Sequence, residues 1–591
     1  MKNLVQASDK SDIINPLKDA IAKCKLAFII TFWFAFVINL LMLLTPLYSL
    51  QVLDRVLGSG NKNTLLMLSL IIGSIYLVYG LLQIVRSFIL IKVGAWLDKT
   101  LTPILFSQSI SASAMKIPGA GSQLLRDFQT VKTFLTSTGI NTIFDAPWSI
   151  IYIIVIFLIH PYIGILTIFG AVIIVFFAFF NAVATNRALG EASEFANKSY
   201  VQSEIANRNA EVVEAMGMAS NVSKNWHRLN QNALQKQSVA SYRNGVISNV
   251  ARFVRNLMQM CVTGIGAYIV IKTNSEQMTP GGMIASSIIV GRALAPFDNA
   301  IELWKNISGA MKSYKNINKF FSNYKPRDEA MEIPEVDGNL AVENVYFALP
   351  TPPKIPGMPQ QNAMPKYILN GISFSLQTGE ILAIIGPSGT GKSTLAKIMI
   401  GVLASTSGSV RLDGAEVYKW NRKNFGQHAG YLPQGIELFS GTIKENIARM
   451  DDNPNPSDVI EAAKMAGAHE MILKFSDGYD SDIGVAGSSL SGGQKQRIGL
   501  ARAFFGQPKL VILDEPNANL DEAGEMALSK ALKQAKEKGI TVVVISHRPS
   551  ILSVVDKVMI MQDGAVAAYG DAKEVINKVK LLNNGTIHIN E

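Results

Sequence analysis

The chain has few cysteines and few charged residues for its length of 591 residues. Its two cysteines, Cys24 and Cys261, exclude a framework of several disulfide bonds and argue against a cysteine-based metal site. Charged residues make up 17% of the sequence, and long stretches of the first half contain none. No cleavable signal peptide is evident, because the first apolar run is too long for a signal core. These scarcities are typical of a membrane protein.

Uncharged apolar segments in the first half of the chain predict six membrane-spanning helices, since one span needs about 20 apolar residues. The segments are 26–53, 64–85, 146–186, 256–271 and 277–291. The third segment is long enough for two spans, separated by a turn at 160–164. The last two are short and need flanking polar residues to cross a membrane, as helices beside a water-filled cavity would.

Basic residues indicate which parts of the chain face the cytoplasm. Lysines and arginines concentrate in the N-terminal segment and in the long loops after the second and fourth spans. The positive-inside rule therefore places these parts and the C-terminal half in the cytoplasm. The net charge of +10 then reflects contact with membrane lipid, and we expect no nucleic-acid partner. The charges of Arg292, Asp298 and Glu302 could face a cavity or lie beyond the membrane surface.

The long loops are predicted to be helical, for example over 211–226, so we expect the spans to continue well past the membrane. From about Gly338 the pattern changes to buried strands, such as ILAIIG, KLVILDE and TVVVISH, that alternate with helices. The proline-rich segment 350–365 is either a surface insertion or a partner-docking motif. The predicted domains are an N-terminal cytoplasmic segment (1–25), a transmembrane domain (26–325), a linker (326–337), an α/β nucleotide-binding domain (338–580) and a C-terminal tail (581–591).

The segment GPSGTGKST, residues 386–394, follows a predicted strand and precedes a predicted helix. In this context the pattern G-x-x-x-x-G-K-[ST] predicts a phosphate-binding P-loop, whose backbone N–H groups and helix N-terminus favour anions. Lys392 is predicted to reach the β- and γ-phosphates and Ser393 to hold Mg²⁺, so the predicted cofactors are ATP and Mg²⁺. The predicted nucleotide contacts are Gly386, Pro387, Ser388, Gly389, Thr390, Gly391, Lys392, Ser393 and Thr394.

The segment LVILDE supplies two carboxylates at the end of a buried strand. Asp514 is predicted to be the Mg²⁺-linked carboxylate, and Glu515 the base that polarises the attacking water. An ordinary acidic pair at a strand end would be credible alone, but not downstream of a P-loop.

The segment LSGGQ, residues 490–494, makes the C-terminal half resemble the ATPase domain of ABC transporters, with that family's motifs in the family's order. The resemblance implies that Gln434, in YLPQ, contacts nucleotide and Mg²⁺ and couples to the membrane part. It also implies that Asp521 crosses a dimer interface and that His547 is a catalytic switch residue at the γ-phosphate. The signature residues implied to contact nucleotide are Ser491, Gly492, Gly493 and Gln494.

One position departs from the family pattern. ABC exporters usually place a tyrosine near the end of the first strand, where it stacks on adenine, and Leu349 stands there in this sequence. Tyr346 and Tyr367 are nearby candidates for that role. How adenine is held is therefore left open, whereas triphosphate binding is predicted.

Segments 44–57, 121–135, 144–148 (FDAPW) and 210–218 of the membrane half resemble type I secretion transporters, particularly exporters of proteases. The resemblance implies a homodimer of twelve spans in the bacterial inner membrane, working with a periplasmic adaptor and an outer-membrane channel. Its implied cargo is an unfolded protein with a C-terminal secretion signal. The alternatives are an exporter of lipid, peptide or drug, and a non-transporting ABC regulator or mechanical ATPase, against which the six spans argue.

Overall fold

The chain forms two compact units, Met1–Lys325 and Pro326–Glu591, in a computed structural model. The structure describes residues 15–115, 117, 119–324, 335–348, 366–484, 487–518, 520–546 and 548–577. Leu349, the proline-rich segment 350–365, His547 and the predicted tail 581–591 lie outside the described residues, as do parts of the predicted N-terminal segment and linker.

All the regular elements described in the first unit are helical. Its elements are α1 (Pro16–Lys23), α2 (Lys25–Met42), α3 (Leu44–Gln51), a π-helical turn (Val52–Val56), α4 (Leu57–Ser59), α5 (Lys62–Ala114), α6 (Ser122–Thr136), α7 (Thr138–Asp145), a 3₁₀ turn (Ala146–Trp148), α8 (Ser149–Ile159), α9 (Pro161–Arg208), α10 (Ala210–Ala215), α11 (Ala219–Lys272), α12 (Pro280–Glu302) and α13 (Trp304–Asn323).

Three helices are far longer than a membrane is thick. Helices α5, α9 and α11 contain 53, 48 and 54 residues. At a rise of about 1.5 Å per residue each measures roughly 70–80 Å, against a hydrocarbon core of about 30 Å. Each therefore continues well beyond a bilayer, as predicted. The turn predicted over 160–164 is confirmed at His160, which separates α8 from α9 and whose side chain accepts a hydrogen bond from the N–H of Tyr162. Residues 161–164 are already helical, because Pro161 opens α9.

Five described helical segments are long and apolar enough to cross a membrane. They are Lys25–Ser59, Lys62–Ala114, Gly139–Ile159, Pro161–Arg208 and Ala219–Lys272. The sixth predicted span coincides with α12, which is helical but is not among these five. Its second half carries the charges of Arg292, Asp298 and Glu302, which lower its hydropathy. The sixth crossing therefore stays a prediction.

Two of the charges on α12 are held in ion pairs with α11. Arg255 Nη1 lies 2.7 Å from Asp298 Oδ2, and Arg252 pairs with Glu302. Asp298 is 2% exposed, so its carboxylate is part of the packing between the two helices and does not face an open cavity. The charge of Arg292 lies on an exposed side chain.

The loop after the fourth span corrects one prediction. The predicted helix over 211–226 is broken, because α10 ends at Ala215 and α11 begins at Ala219. Gly217 between them has φ +62°, a left-handed backbone conformation that ends helices and favours glycine.

The FDAPW segment lies where three helices of the first unit meet. Arg86 Nη1 of α5 lies 3.1 Å from Asp145 Oδ1, and Asn39 Nδ2 of α2 donates to the same oxygen over 3.2 Å. The ring of Trp148 lies 4.7 Å from that of Phe32 and 4.8 Å from that of Phe36, measured between ring centres. The segment therefore fastens the start of the third span to α2 and α5.

The second unit alternates strands and helices. Its elements are β1 (Leu340–Ala348), β2 (Tyr367–Leu376), β3 (Ile381–Ile385), α14 (Lys392–Met399), β4 (Ser407–Leu412), β5 (Ala415–Glu416), α15 (Arg422–His428), β6 (Ala429–Leu432), α16 (Ile443–Ile447), α17 (Pro456–Met465), α18 (His469–Ile472), a 3₁₀ turn (Gly478–Asp480), α19 (Gly492–Phe504), β7 (Leu510–Asp514), α20 (Glu522–Glu537), β8 (Thr541–Ile545), α21 (Pro549–Leu552), β9 (Lys557–Gln562) and β10 (Ala565–Asp571).

Two sheets form the framework of this unit. A six-stranded sheet has the order β10-β9-β3-β8-β7-β6, in which only β10 runs antiparallel to its neighbour among the described strands. A four-stranded antiparallel sheet has the order β2-β1-β4-β5. The predicted α/β fold is thus confirmed, and the continuous apolar runs of β7 and β8 are fully buried strands of the larger sheet.

The strand order brings separate motifs to one edge of the six-stranded sheet. Strand β8 lies between β3 and β7, and Ile545 at its end is in register with Ile384 on one side and Asp514 on the other. The carboxyl ends of all three parallel strands therefore open at the same edge, where ligands of open α/β sheets bind.

Candidate functional site

The P-loop runs from the end of β3 to the start of α14. Gly386, Gly389 and Gly391 have φ of +152°, +86° and +93°. A Cβ on Gly386 would lie 2.2 Å from the carbonyl oxygen of Met561, and one on Gly391 would lie 2.7 Å from Leu369 Cδ2. Only glycine fits at these two positions, because both the backbone conformation and the neighbouring atoms exclude a side chain. The loop can thus present backbone N–H groups to a phosphate at the N-terminus of α14.

The ammonium group of Lys392 is folded into this loop. Lys392 Nζ donates hydrogen bonds to the carbonyl oxygens of Gly386, over 2.6 Å, and Pro387, over 2.7 Å. Burial lowers the pKa of Lys392, and the negative charges of Glu515 and Asp514 act in the opposite direction. The ammonium group therefore lies within the loop, and the two carboxylates at the end of β7 favour its charged form.

Asp514 at the end of β7 is buried against the start of α14. It is 2% exposed, and burial raises the pKa of its carboxyl group while a hydrogen bond with the Ser393 side chain lowers it. Its Oδ1 is buried and has no hydrogen-bond partner among the described residues. A carboxylate with a free oxygen beside a serine hydroxyl fits Mg²⁺, which binds hard oxygen ligands. No group of three or more His, Cys, Asp or Glu side chains that could hold a metal ion occurs in the described part of the chain.

Glu515 and Gln434 meet although they are 81 residues apart. Gln434 Nε2 donates to Glu515 Oε2 over 2.9 Å. The backbone of Glu515 has φ +51°, and its N–H donates a hydrogen bond to the carbonyl oxygen of Ile545 on β8. A non-glycine residue in this region is strained, and such strain clusters at functional sites.

A further polar residue that the sequence analysis missed supports this turn. Gln496 of α19 is 3% exposed, and its Nε2 donates to the carbonyl oxygen of Pro516 over 2.7 Å. The sequence signal for it is weak: a glutamine four residues before the buried Leu500 on the same helix face. Next to it, Ser546 Oγ at the end of β8 donates to Asn517 Oδ1 over 2.8 Å. The predicted switch residue His547 lies outside the described residues, one position after Ser546.

The signature residues form the N-terminus of α19. Ser491 is the N-cap residue: its side chain accepts a hydrogen bond from the N–H of Gln494, and Gln494 Oε1 accepts one from the N–H of Ser491. This capping box leaves the N–H groups of Gly492 and Gly493 in the first turn without intrahelical partners, ready for an anion. In the described part of the chain, no hydrogen bond or ion pair joins these residues to the P-loop.

Asp521 belongs to the same region as the signature. Its Oδ1 accepts hydrogen bonds from the N–H of Gly524 and from Arg497 Nη2, each over 2.9 Å. The first bond caps the N-terminus of α20, and the second ties that helix to α19. These bonds lower the pKa of Asp521, the Gly524 bond most, so the residue is ionised at neutral pH.

Tyr367, one of the two candidate adenine-stacking residues, lies one residue before Ile368, whose carbonyl oxygen lies close to Gly391 of the P-loop. It opens β2 and is 45% exposed. Ile368 follows Tyr367 in the chain, and a Cβ on Gly391 would lie 3.0 Å from the carbonyl oxygen of Ile368. The ring of Tyr346 meets the ring of Tyr367 edge-on, with 6.1 Å between their centres. Tyr346 therefore supports Tyr367 from the side.

Comparison with known proteins gives the same assignment for both units. Residues 369–518 match the ABC transporter family and residues 28–293 match the ABC transporter transmembrane region. The chain is 35% identical over 561 residues to the type I secretion system ATP-binding protein PrsD of Rhizobium meliloti (strain 1021), which covers 95% of this chain and 94% of that protein.

Comparison with more distant proteins supports the same assignment. The chain is 26% identical over 595 residues to the alpha-hemolysin translocation ATP-binding protein HlyB of Proteus vulgaris, covering 97% of this chain and 81% of that one. The solved structure of a bacterial Atm1-family ABC exporter with ATP bound superposes with a TM-score of 0.77 at 19% identity, covering 97% of this chain and 99% of that one, which shows a shared fold. The chain therefore belongs to the ABC transporters, as a multi-pass, ATP-hydrolysing member of the type I secretion kind, with its transmembrane and ATPase regions fused in one polypeptide.

Proposed function

We propose that this protein is the ABC component of a type I secretion system and uses ATP to export unfolded polypeptides across the bacterial inner membrane. The similarity to a type I secretion ATP-binding protein along 95% of the chain carries this proposal. Export of a lipid, small peptide or drug instead is not favoured, because the relatives named above as secretion and translocation proteins match the membrane half together with the ATPase half.

Within the ATPase unit each predicted residue has a proposed role. The backbone of residues 386–394 and the ammonium group of Lys392 bind and orient the β- and γ-phosphates. Ser393, Asp514 and Gln434 would hold Mg²⁺, which neutralises charge on the phosphate oxygens when bound. Glu515 accepts a proton from the attacking water, and its hydrogen bond with Gln434 orients its carboxylate. His547 is proposed to contact the γ-phosphate.

The complete transporter is proposed to be a homodimer with crossed ATP sites. In such a dimer Ser491, Gly492, Gly493 and Gln494 of one protomer face the nucleotide on the P-loop of its partner, and Asp521 lies at the interface. The N–H groups of the first turn of α19 support this arrangement, since they form a second anion-binding end, and among the described residues no hydrogen bond joins them to the P-loop. The proposed domain limits are those predicted from the sequence, with the N-terminus and the ATPase domain in the cytoplasm.

Reconstituted secretion tests the proposed cargo class. The transporter is co-expressed in a Gram-negative host with a candidate adaptor, a candidate outer-membrane channel and a candidate cargo protein from its own source organism. We expect the cargo in the medium with the wild-type transporter, and none when the cargo lacks its C-terminal segment or the transporter carries Glu515→Gln. Secretion that ignores the C-terminal segment, or ATP-dependent movement of lipid or dye in vesicles without any protein export, would reject the proposal.

A further inference from the structure

Arg449 follows α16, and every N–H donor of its side chain is hydrogen-bonded to a backbone carbonyl group. Its Nε donates to Arg502 O over 3.1 Å, and its Nη2 donates to Ala503 O over 3.3 Å and to Phe505 O over 3.0 Å. Its Nη1 donates to Ala429 O over 3.2 Å and also to Gly426 O. A guanidinium group has five N–H donors, so this one is saturated by five carbonyl groups.

These carbonyl groups lie in two regions, the C-terminal end of the signature helix and the segment that leads through β6 to Gln434. Arg502 and Ala503 form the last turn of α19, whose first turn is the signature. Ala429 opens β6, which leads to Gln434, and Gly426 lies in the helix that precedes it. The guanidinium group thus joins the far end of the signature helix to the base of the strand that presents Gln434.

The charge of Arg449 suits this position. Burial lowers its pKa to about 10, with a smaller contribution from the charge of Arg502, so the group is still a cation at neutral pH. No carboxylate pairs with it among the described residues, so its counter-charge is the negative end of the α19 dipole. The cation therefore stabilises α19 at the end opposite the proposed phosphate site.

The backbone of Arg449 and of the residue after it is strained. Arg449 and Met450 are consecutive residues with φ of +57° and +61°, and neither is glycine. Such conformations persist only where surrounding contacts impose them, and they cluster at functional sites. The five hydrogen bonds are the contacts that hold Arg449 in this conformation.

We propose that Arg449 is a positioning residue for ATP hydrolysis, which sets the direction of α19 so that the signature reaches the nucleotide of the partner protomer. The inference rests on the crossed dimer proposed above. It assigns no contact between Arg449 and nucleotide, since its partners are backbone carbonyl groups of its own chain.

The first test separates nucleotide binding from turnover in the full-length dimer. Arg449→Met removes the positive charge and all five N–H donors. Arg449→Lys keeps the charge but lacks the planar guanidinium group and its fixed set of donors. We expect ATP affinity and the number of nucleotides bound per chain to stay within about twofold of wild type, because the P-loop is untouched, while kcat falls about ten- to a hundredfold, the scale set by a misplaced group. Arg449→Lys should lie between Arg449→Met and wild type.

Arg411→Met is the matched control. Its side chain is 45% exposed on β4 and contacts only nearby surface groups, so kcat should be unchanged. If Arg449 had a merely structural role, kcat and nucleotide bound per chain would fall in the same proportion. That result, or an unchanged kcat in Arg449→Met, would overturn the proposal.

A second test uses crosslinking to measure whether the signature of one protomer lies close to the P-loop of the other. Cysteines replace Ser388 in the P-loop and Ser488 before the signature, in a Glu515→Gln background without the two native cysteines. ATP should produce a link between protomers, and Arg449→Met should reduce its yield severalfold while Arg411→Met does not. An equal yield in Arg449→Met would overturn the inference. Absence of the link with Arg449 intact would instead reject the crossed dimer on which it rests.

Discussion

At the scale of single residues, the site depends on four side chains near the carboxyl ends of β3, β7 and β6. Lys392, Asp514, Glu515 and Gln434 are linked by short contacts or by their charges. Each has a different environment: the Lys392 ammonium bonds carbonyl groups, Asp514 is buried, and Glu515 faces an amide.

Glu515→Gln should bind ATP but hydrolyse it very slowly. The amide keeps the shape and loses the proton-accepting carboxylate, a loss that typically costs about 10²–10⁴-fold in rate. ATPase activity and ATP binding of the purified protein are the measurements. Glu522→Gln, an exposed substitution in the first turn of α20, should leave the rate near wild type. Hydrolysis by Glu515→Gln within about threefold of wild type would remove Glu515 from the role of base.

Tyr367→Ala should raise the apparent KM for ATP about fivefold or more, because stacking of a base on an aromatic ring contributes about 1–3 kcal/mol. Tyr367→Phe keeps the ring and should leave KM unchanged. Tyr346→Ala should have a smaller effect, since its ring supports Tyr367 edge-on. A normal KM in Tyr367→Ala with a raised KM in Tyr346→Ala would reverse the assignment, and normal values in both would show that adenine is held elsewhere.

At the scale of elements, a carboxylate just after the first predicted span adds to the capping of α12, whose own N-cap residue is Thr279. Asp54 lies in the π-helical turn Val52–Val56. Its Oδ1 accepts a hydrogen bond from the N–H of Gly281 over 2.8 Å, and its Oδ2 accepts one from Thr279 Oγ1 over 2.5 Å. The carboxylate thus satisfies the first turn of α12 and holds that helix against α3 and the turn.

Asp54→Ala should destabilise the purified transporter by about 0.5–2 kcal/mol, the range for losing a side-chain acceptor at a helix N-terminus. Asp54→Asn keeps one acceptor and should recover part of the loss. The measurement is thermal unfolding in nanodiscs, with Arg55→Ala as the neighbouring control on an exposed side chain. Equal unfolding temperatures for Asp54→Ala and Arg55→Ala would show that this cap contributes nothing.

At the scale of the whole molecule, two lesions can be combined to test whether the ATP sites are crossed. Lys392→Ala removes a phosphate-binding cation, and Gly493→Asp places a carboxylate where the proposed site needs N–H donors. With one lesion in each protomer, crossed sites leave one site intact, whereas self-contained sites leave none. With both lesions in the same protomer, crossed sites leave none intact, whereas self-contained sites leave one.

We therefore expect ATPase activity from differently tagged dimers that carry one lesion per protomer, and background activity when both lesions share a protomer. Doubly tagged dimers are purified and their ATPase rates compared. The reverse pattern would show that each chain builds its own site. Inactivity of both dimers would show that the two sites turn over only together, and the crosslink between Ser388→Cys and Ser488→Cys then distinguishes the arrangements.

The sequence alone was sufficient to predict those parts of the protein whose structure depends on residues close together in the chain. Uncharged runs predicted the helices that can cross a membrane, because each must bury its own backbone polar groups. The P-loop was predictable from Gly386 to Lys392, since its glycines and its lysine are consecutive in the chain and meet the same loop. The turn at His160–Pro161 was likewise encoded by adjacent residues. The break at Gly217 was missed, because one positive φ outweighed a helical pattern on both sides.

Contacts between distant segments were decided only by the tertiary structure. The order β3-β8-β7 brings Asp514 to the start of α14, and the placement of β6 beside β7 brings Gln434 to Glu515. Sequence motifs name these residues but do not state which strands are neighbours. The saturation of Arg449 by five carbonyl groups had no sequence signal, because backbone carbonyl groups are present at every residue and only packing selects which of them converge.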